Sequence, residues 1–152
     1  MLYLLLKWLH VLAAIVAIGA NVTYGIWIAR ASRNPDVLPF TLRGIKLIDD
    51  RVANPAYGAL LITGLLMVFV LRFSLTTPWL LTALVLYVLV VLVGLLGYTP
   101  TLRQQIEVLD REGFSSPTYQ ALVRRGKMLG VILAVLTIVI VFLMVVKPSL
   151  WA

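Results

Sequence analysis

The sequence predicts an all-α protein: an antiparallel transmembrane four-helix bundle whose helices two to four extend into the cytosol. Three observations predict it. Of the 152 residues, 62% are apolar and only 12% charged, where a soluble domain carries about 25% charge. The charged residues are clustered, leaving charge-free runs over 8–29, 52–71, 73–102 and 128–146. Each run is long enough to cross a bilayer, since roughly 20 apolar residues cover its hydrocarbon core. Together they take 91 of the 152 residues, so no soluble domain fits beside them and a water-soluble enzyme is excluded. The chain 1–152 therefore reads as a single polytopic membrane domain, with spans at about 2–29, 54–72, 79–99 and 127–147.

Span one ends where Ser32, Asn34 and Pro35 supply turn chemistry. A second helix opens near Pro39 and carries Leu42, Ile45, Ile48 and Val52 at helical spacing, with Arg43, Lys46 and Asp50 between them. It runs on into span two, with a kink expected near Asn54-Pro55. The short turn from Phe73 to Pro78 makes spans two and three antiparallel neighbours, and Pro78-Trp79 opens the third. That helix outlasts the bilayer, because Leu102, Ile106 and Leu109 continue an apolar stripe while Glu107 and Arg111 are spaced to pair. Gly113 is the expected stop. Ser116 is the next N-cap, with Pro117 in the first helical position, and the fourth helix enters the membrane at Lys127. Helices two to four thus extend past the membrane by about three turns each, at 1.5 Å per residue.

Charge sets the orientation. Ten of the thirteen basic residues lie in the two long loops, between spans one and two and between spans three and four; Lys7, Arg72 and Lys147 flank the opposite ends. The positive-inside rule makes both long loops cytoplasmic and puts both termini outside. The net charge of +7 then reflects topology and attraction to the lipid bilayer, not nucleic acid. No basic stretch precedes the first apolar run, so that run is expected to stay as a helix and not to be removed as a signal. Trp8, Trp27, Trp79 and Trp151 lie near span ends, as amphipathic rings at headgroup level do. With no cysteine in the chain, thiol catalysis and thiolate metal sites are absent.

The chemically informative residues lie on one face of span one, where Tyr3, Lys7, His10, Ala14, Ala17, Asn21 and Tyr24 follow offsets of three and four. Polar groups in hydrocarbon need partners inside the bundle, so the stripe Lys7, His10, Asn21, Tyr24 is expected to face the other helices, with Lys7 reaching back to the interface. On span four Gly126, Gly130, Ala134, Thr137 and Val141 form a small-residue stripe, expected to pack within the bundle, with a dimer seam as the alternative. Tyr87, Tyr98 and Thr137 are expected to bond across the bundle. His10 is the only histidine. Its plain reading is a neutral imidazole bonded to a neighbouring helix; the sharper readings are a haem ligand or a proton-exchanging group beside a quinone. Met67 and Met144 fall at similar depth in an antiparallel bundle and are the candidate second ligands to a haem. The six acids all lie on the cytoplasmic side, which disfavours hydrolase triads and carboxylate–histidine metal sites.

The run Leu6-Lys7-Trp8-Leu9-His10-Val11-Leu12-Ala13-Ala14, with Gly19 in the same helix, Pro55 entering the second span, Thr63-Gly64 within it and Pro78-Trp79 opening the third, resembles a bacterial family of four-span membrane proteins called domain of unknown function 2269. The resemblance covers nearly the whole chain and implies a multi-pass protein of the bacterial plasma (inner) membrane, with no assigned activity. The Lys-x-x-His start is also similar to copper-resistance-D-like proteins and to haem-binding membrane protoporphyrinogen oxidases. In the latter a first-helix histidine, matched by His10, and a lysine in a later helix belong to the haem site. The third span here has no lysine, since 73–102 is uncharged.

The reading that results is an integral membrane protein without a catalytic site, an accessory or structural subunit of a membrane complex or a small homo-oligomer. No catalytic residue, metal or cofactor is predicted from the residues themselves. The alternative is a redox protein that uses His10 to bind haem b or to face a quinone.

Overall fold

The computed structural model describes residues 1–149, so the expectation placed on Trp151 lies outside the described residues. Every regular element among them is helical: α1 Leu2–Ala31, α2 Leu38–Ile48, α3 Asn54–Leu71, α4 Pro78–Leu92, α5 Thr99–Glu112 and α6 Pro117–Val146. Helices α2 and α3 are joined without interruption by a π-helical turn, Asp49–Ala53, and α4 and α5 by a second, Val93–Tyr98. The result is four continuous helices, each long and apolar enough to cross a membrane.

The two π turns have one cause. Pro55 and Pro100 have no N–H to donate, and each stands just after the residue that closes its turn. Asn54 N–H bonds the carbonyl of Asp49, and Thr99 N–H that of Gly94, each five residues back instead of four. The kink expected at Asn54-Pro55 is thus an extra residue wound into the preceding turn.

The remaining breaks follow local chemistry. Asn34 accepts from the backbone of Asp36 in the first loop. Gly113 ends α5 at φ 81°, a conformation that disfavours a side chain. Ser116 caps α6 by accepting from Tyr119 N at 3.4 Å, with Pro117 next. At the far end of the bundle, Arg72 closes α3 in the left-handed region, Phe73 meets Trp79 edge to face, and the Lys147 ammonium lies 5.2 Å above the Trp79 ring.

The densest core lies at the basic end. There Leu38, Leu42 and Ile45 of α2, Leu102 and Leu109 of α5, and Tyr119 of α6 enclose the end of α1 at Tyr24 and Ala31. Water drives that burial, whereas lipid gives apolar side chains no reason to leave it. The buried face of the second long helix is Leu38, Leu42, Ile45, Asp49 and Ala53. Ile48 and Val52, expected on that face, are 41% and 42% exposed; the regular spacing of Leu38, Leu42 and Ile45 leads on to Asp49 and Ala53 instead. The expected Glu107–Arg111 pair is also replaced. Among the described residues the ion pairs are Lys46–Asp50 and Arg43–Asp110, the latter at 2.7 Å and joining α2 to α5.

Inside the membrane the helices pack as two pairs. Helix α1 lies along α3, where Ala17, Thr63 and Gly64 allow close approach, and α4 lies along α6, with Gly97 of the following π turn facing Leu129. Spans two and three, expected as antiparallel neighbours because their link is short, meet through a side chain more than through their backbones: the Tyr87 hydroxyl donates to the Tyr57 carbonyl at 2.5 Å.

Candidate functional site

His10 projects from α1 toward α3, where its Nδ1 lies 2.9 Å from Thr63 Oγ1. The Thr63 hydroxyl donates to the Ala59 carbonyl at 2.6 Å, in the i−4 pattern common for threonine in helices. Its hydrogen is therefore engaged, so His10 Nδ1–H is the donor and Nε2 is the ring nitrogen left over. Gly64 makes room for the ring: a Cβ there would stand 3.2 Å from His10 Cε1. Lys7 is exposed one turn away. Met67 and Met144 sit half-buried toward the far ends of α3 and α6, and neither is the side chain bonded to His10. Thr63, the partner the structure gives His10, stands in the Thr63-Gly64 pair that carried part of the resemblance.

A second polar site lies between the helix pairs, toward the basic end. Asn21 Nδ2 donates to the Tyr57 hydroxyl at 3.0 Å and to the Ala17 carbonyl at 2.8 Å, so the stripe residue expected to bond another helix does so. Tyr87 bonds the Tyr57 backbone from the opposite pair, as its own expectation required. One turn nearer the basic end, Asp49 is 4% exposed and accepts from Thr99 Oγ1 at 3.0 Å, with Asn54 Nδ2 more loosely placed at 3.5 Å. These groups line a cavity of about 210 Å³. Asp49 precedes the charge-free run of span two. Burial pushes its carboxyl above the usual carboxylate range and nearby Asp50 adds to this, while Thr99, Lys46 and Asn54 pull it back.

Tyr24, the last residue of the stripe, is 2% exposed, and its hydroxyl has no hydrogen-bond partner. It lines a larger cleft, about 630 Å³, between α1 and α6. Asn21, Tyr57 and Tyr98 border both spaces and so form the partition between them.

Asp49, Tyr57 and Thr99 were not singled out from the sequence as site residues, and Thr63 only as part of the resemblance. For Asp49 a signal existed, since it continues the spacing of Leu42 and Ile45. Thr99-Pro100 repeats the Asn54-Pro55 pattern of a polar residue before proline.

One comparison with known proteins bears on this arrangement. The family model described as predicted integral membrane protein (DUF2269) matches residues 4–148. The chain belongs to the DUF2269 family. The matched range spans the four long helices and includes His10, Thr63 and both π turns. No curated protein and no solved structure matches the chain.

Proposed function

We propose that this DUF2269 protein is a non-enzymatic accessory component of the bacterial inner membrane, with its basic end in the cytosol and both termini outside. One observation carries the reading: His10, the titratable ring set deep in span one, is used as an interhelical clamp through Thr63 to the α3 backbone. A group bonded in this way holds two helices in register. The exposed basic edge of the stub, with Arg124 and Arg125 on α6, is the surface offered to another subunit or a second copy. Purification in mild detergent tests this. A colourless protein is expected, in complexes larger than one chain; a monomer eluting alone would defeat the accessory role.

A second reading has its own observation. With Nδ1–H held by Thr63, His10 Nε2 is the nitrogen that a haem iron or a quinol hydroxyl would use, and such an orienting bond to the other ring nitrogen is usual for ligating histidines. His10 would be the residue that holds haem b, which would supply one-electron chemistry there, with Met67 or Met144 as the candidate second ligand. A Soret band in the wild type that disappears in His10→Ala would establish this reading and displace the first.

A further inference from the structure

The cleft between α1 and α6 is unlike the gap between α3 and α4 in what surrounds it. Its walls are Ile18 and Val22 on one side and Val131 and Ile138 on the other, and its floor on α6 is Gly130 and Ala134. Small residues at a helix interface ordinarily let two backbones close on each other. Here α1 and α6 approach each other at only a few positions, and a Cβ on Gly130 would find its nearest neighbour, the Tyr98 ring, at 4.0 Å. The small side chains therefore leave open space.

That space has a length and a polarity. From Lys127 at one end to Ile138 at the other is eleven positions on α6, or about 16 Å at 1.5 Å per residue. This is half of a hydrocarbon core about 30 Å thick, the depth of one leaflet. The end at the membrane surface carries Lys127 and Ser32, and Lys127 has no carboxylate partner among the described residues. Deeper along the same wall stands Tyr24, whose buried hydroxyl lacks an acceptor. From the surface inward, the cleft thus offers a cation, a hydrogen-bond donor and an apolar trough one leaflet long.

We propose that the α1–α6 cleft is a binding site for one anionic glycerophospholipid of the leaflet on the basic side. The phosphate meets Lys127, with Ser32 beside it. An ester carbonyl supplies the acceptor that Tyr24 lacks, and one acyl chain fills the trough over Gly130 and Ala134. The charge at the mouth selects the headgroup, and the trough holds the chain whatever the headgroup is. The proposal does not depend on whether His10 is a clamp or a ligand.

The test is native mass spectrometry of the full-length protein released from mild detergent after incubation with equal amounts of phosphatidylglycerol and phosphatidylcholine. The wild type is expected to keep one phosphatidylglycerol per chain, at least five-fold over phosphatidylcholine. Lys127→Gln should bring the two lipids to near parity, and Gly130→Leu should remove both adducts while leaving the helical circular dichroism unchanged. If Gly130→Leu does not fold, Ala134→Leu decides on the same readout. Equal retention of the two lipids by the wild type, or full retention by the folded trough-filling variant, would overturn the proposal. So would a lipid-free dimer that Gly130→Leu dissociates, since that places a second copy in the cleft.

Discussion

Thr99 Oγ1 donates to Asp49 Oδ2 across 3.0 Å and so ties the π turn of the second long helix to the end of the π turn in the third. Each turn precedes a proline, whose missing N–H removes a regular helical bond at that point. The two helix pairs, which barely touch within the membrane, are joined at this level by a buried carboxylate and not by apolar packing alone.

Asp49→Asn should keep the bond from Thr99, because an amide oxygen accepts it equally well, while removing a buried charge. Asp49→Ala leaves Thr99 and Asn54 without their acceptor and should cost about 1–3 kcal/mol. The pH dependence has a definite sign. Burial raises the Asp49 carboxyl above its ordinary value, so folding favours the protonated form. Its contribution is fully present below the ordinary carboxylate pKa and is lost as pH rises through the raised one. Thermal melts of wild type against Asp49→Asn should therefore diverge from about pH 4 upward, the wild type losing ground, and run parallel once Asp49 is fully ionised. A difference constant from pH 3 to 8 would show that Asp49 is not desolvated.

For His10 the structure narrows the expected cost of removal. Thr63 keeps its bond to Ala59 when the imidazole is gone, so His10→Leu loses one hydrogen bond and strands no donor. About 1 kcal/mol in detergent melts is the expected loss. His10→Asp should be worse, because a carboxylate opposite Thr63 needs the hydroxyl hydrogen that Ala59 already holds, and its nearest cation along α1 is the exposed Lys7. Equal melting of the Leu and Asp variants would place His10 in a wet cavity.

Gly64 and His10 should couple measurably. A methyl group at Gly64 meets His10 Cε1 at 3.2 Å, and the ring cannot turn away without leaving Thr63. Gly64→Ala alone should cost about 1 kcal/mol or more from overpacking. In a His10→Ala background the same change should become stabilising, by up to about 1 kcal/mol, as alanine is the better helix former. A double-mutant cycle reads the change of sign directly. If Gly64→Ala behaves identically in both backgrounds, the helices approach each other differently at this level.

Helix number, order and ends were legible in the sequence because charge gaps and capping residues act locally. Gly113, Ser116 and Pro117 do what their chemistry dictates. The face buried by the second long helix was less legible: the regular spacing of Leu38, Leu42 and Ile45 leads on to the charged Asp49 and away from the apolar Ile48 and Val52, so apolarity pointed to the wrong positions. The candidate site divided in the same way. His10 and Asn21 stood out as polar residues in an apolar run, and both proved to be bonded to another helix. Tyr57, Thr63 and Thr99 acquire meaning only from the partner across the gap, and pairing between helices leaves no period in the chain.

Sidedness is open to direct test, because the structure places the weakly charged ends together. Lys147 reaches Trp79 beside the Arg72 turn, so the end of α6 and the link between spans two and three share one face of the membrane. The opposite face carries the stub and ten of the thirteen basic residues. Retention of such loops in the cytoplasm is what the positive-inside rule describes, and an excess this large outweighs the three cations at the other end. Ser115 and Ser149 are both exposed, and the chain has no cysteine of its own, so single cysteines introduced there report one side each. In intact cells a membrane-impermeant maleimide should label Ser149→Cys and reach Ser115→Cys only after the membrane is opened. Labelling in the reverse order would invert the topology, and would place the Lys127 end of the cleft in the outer leaflet.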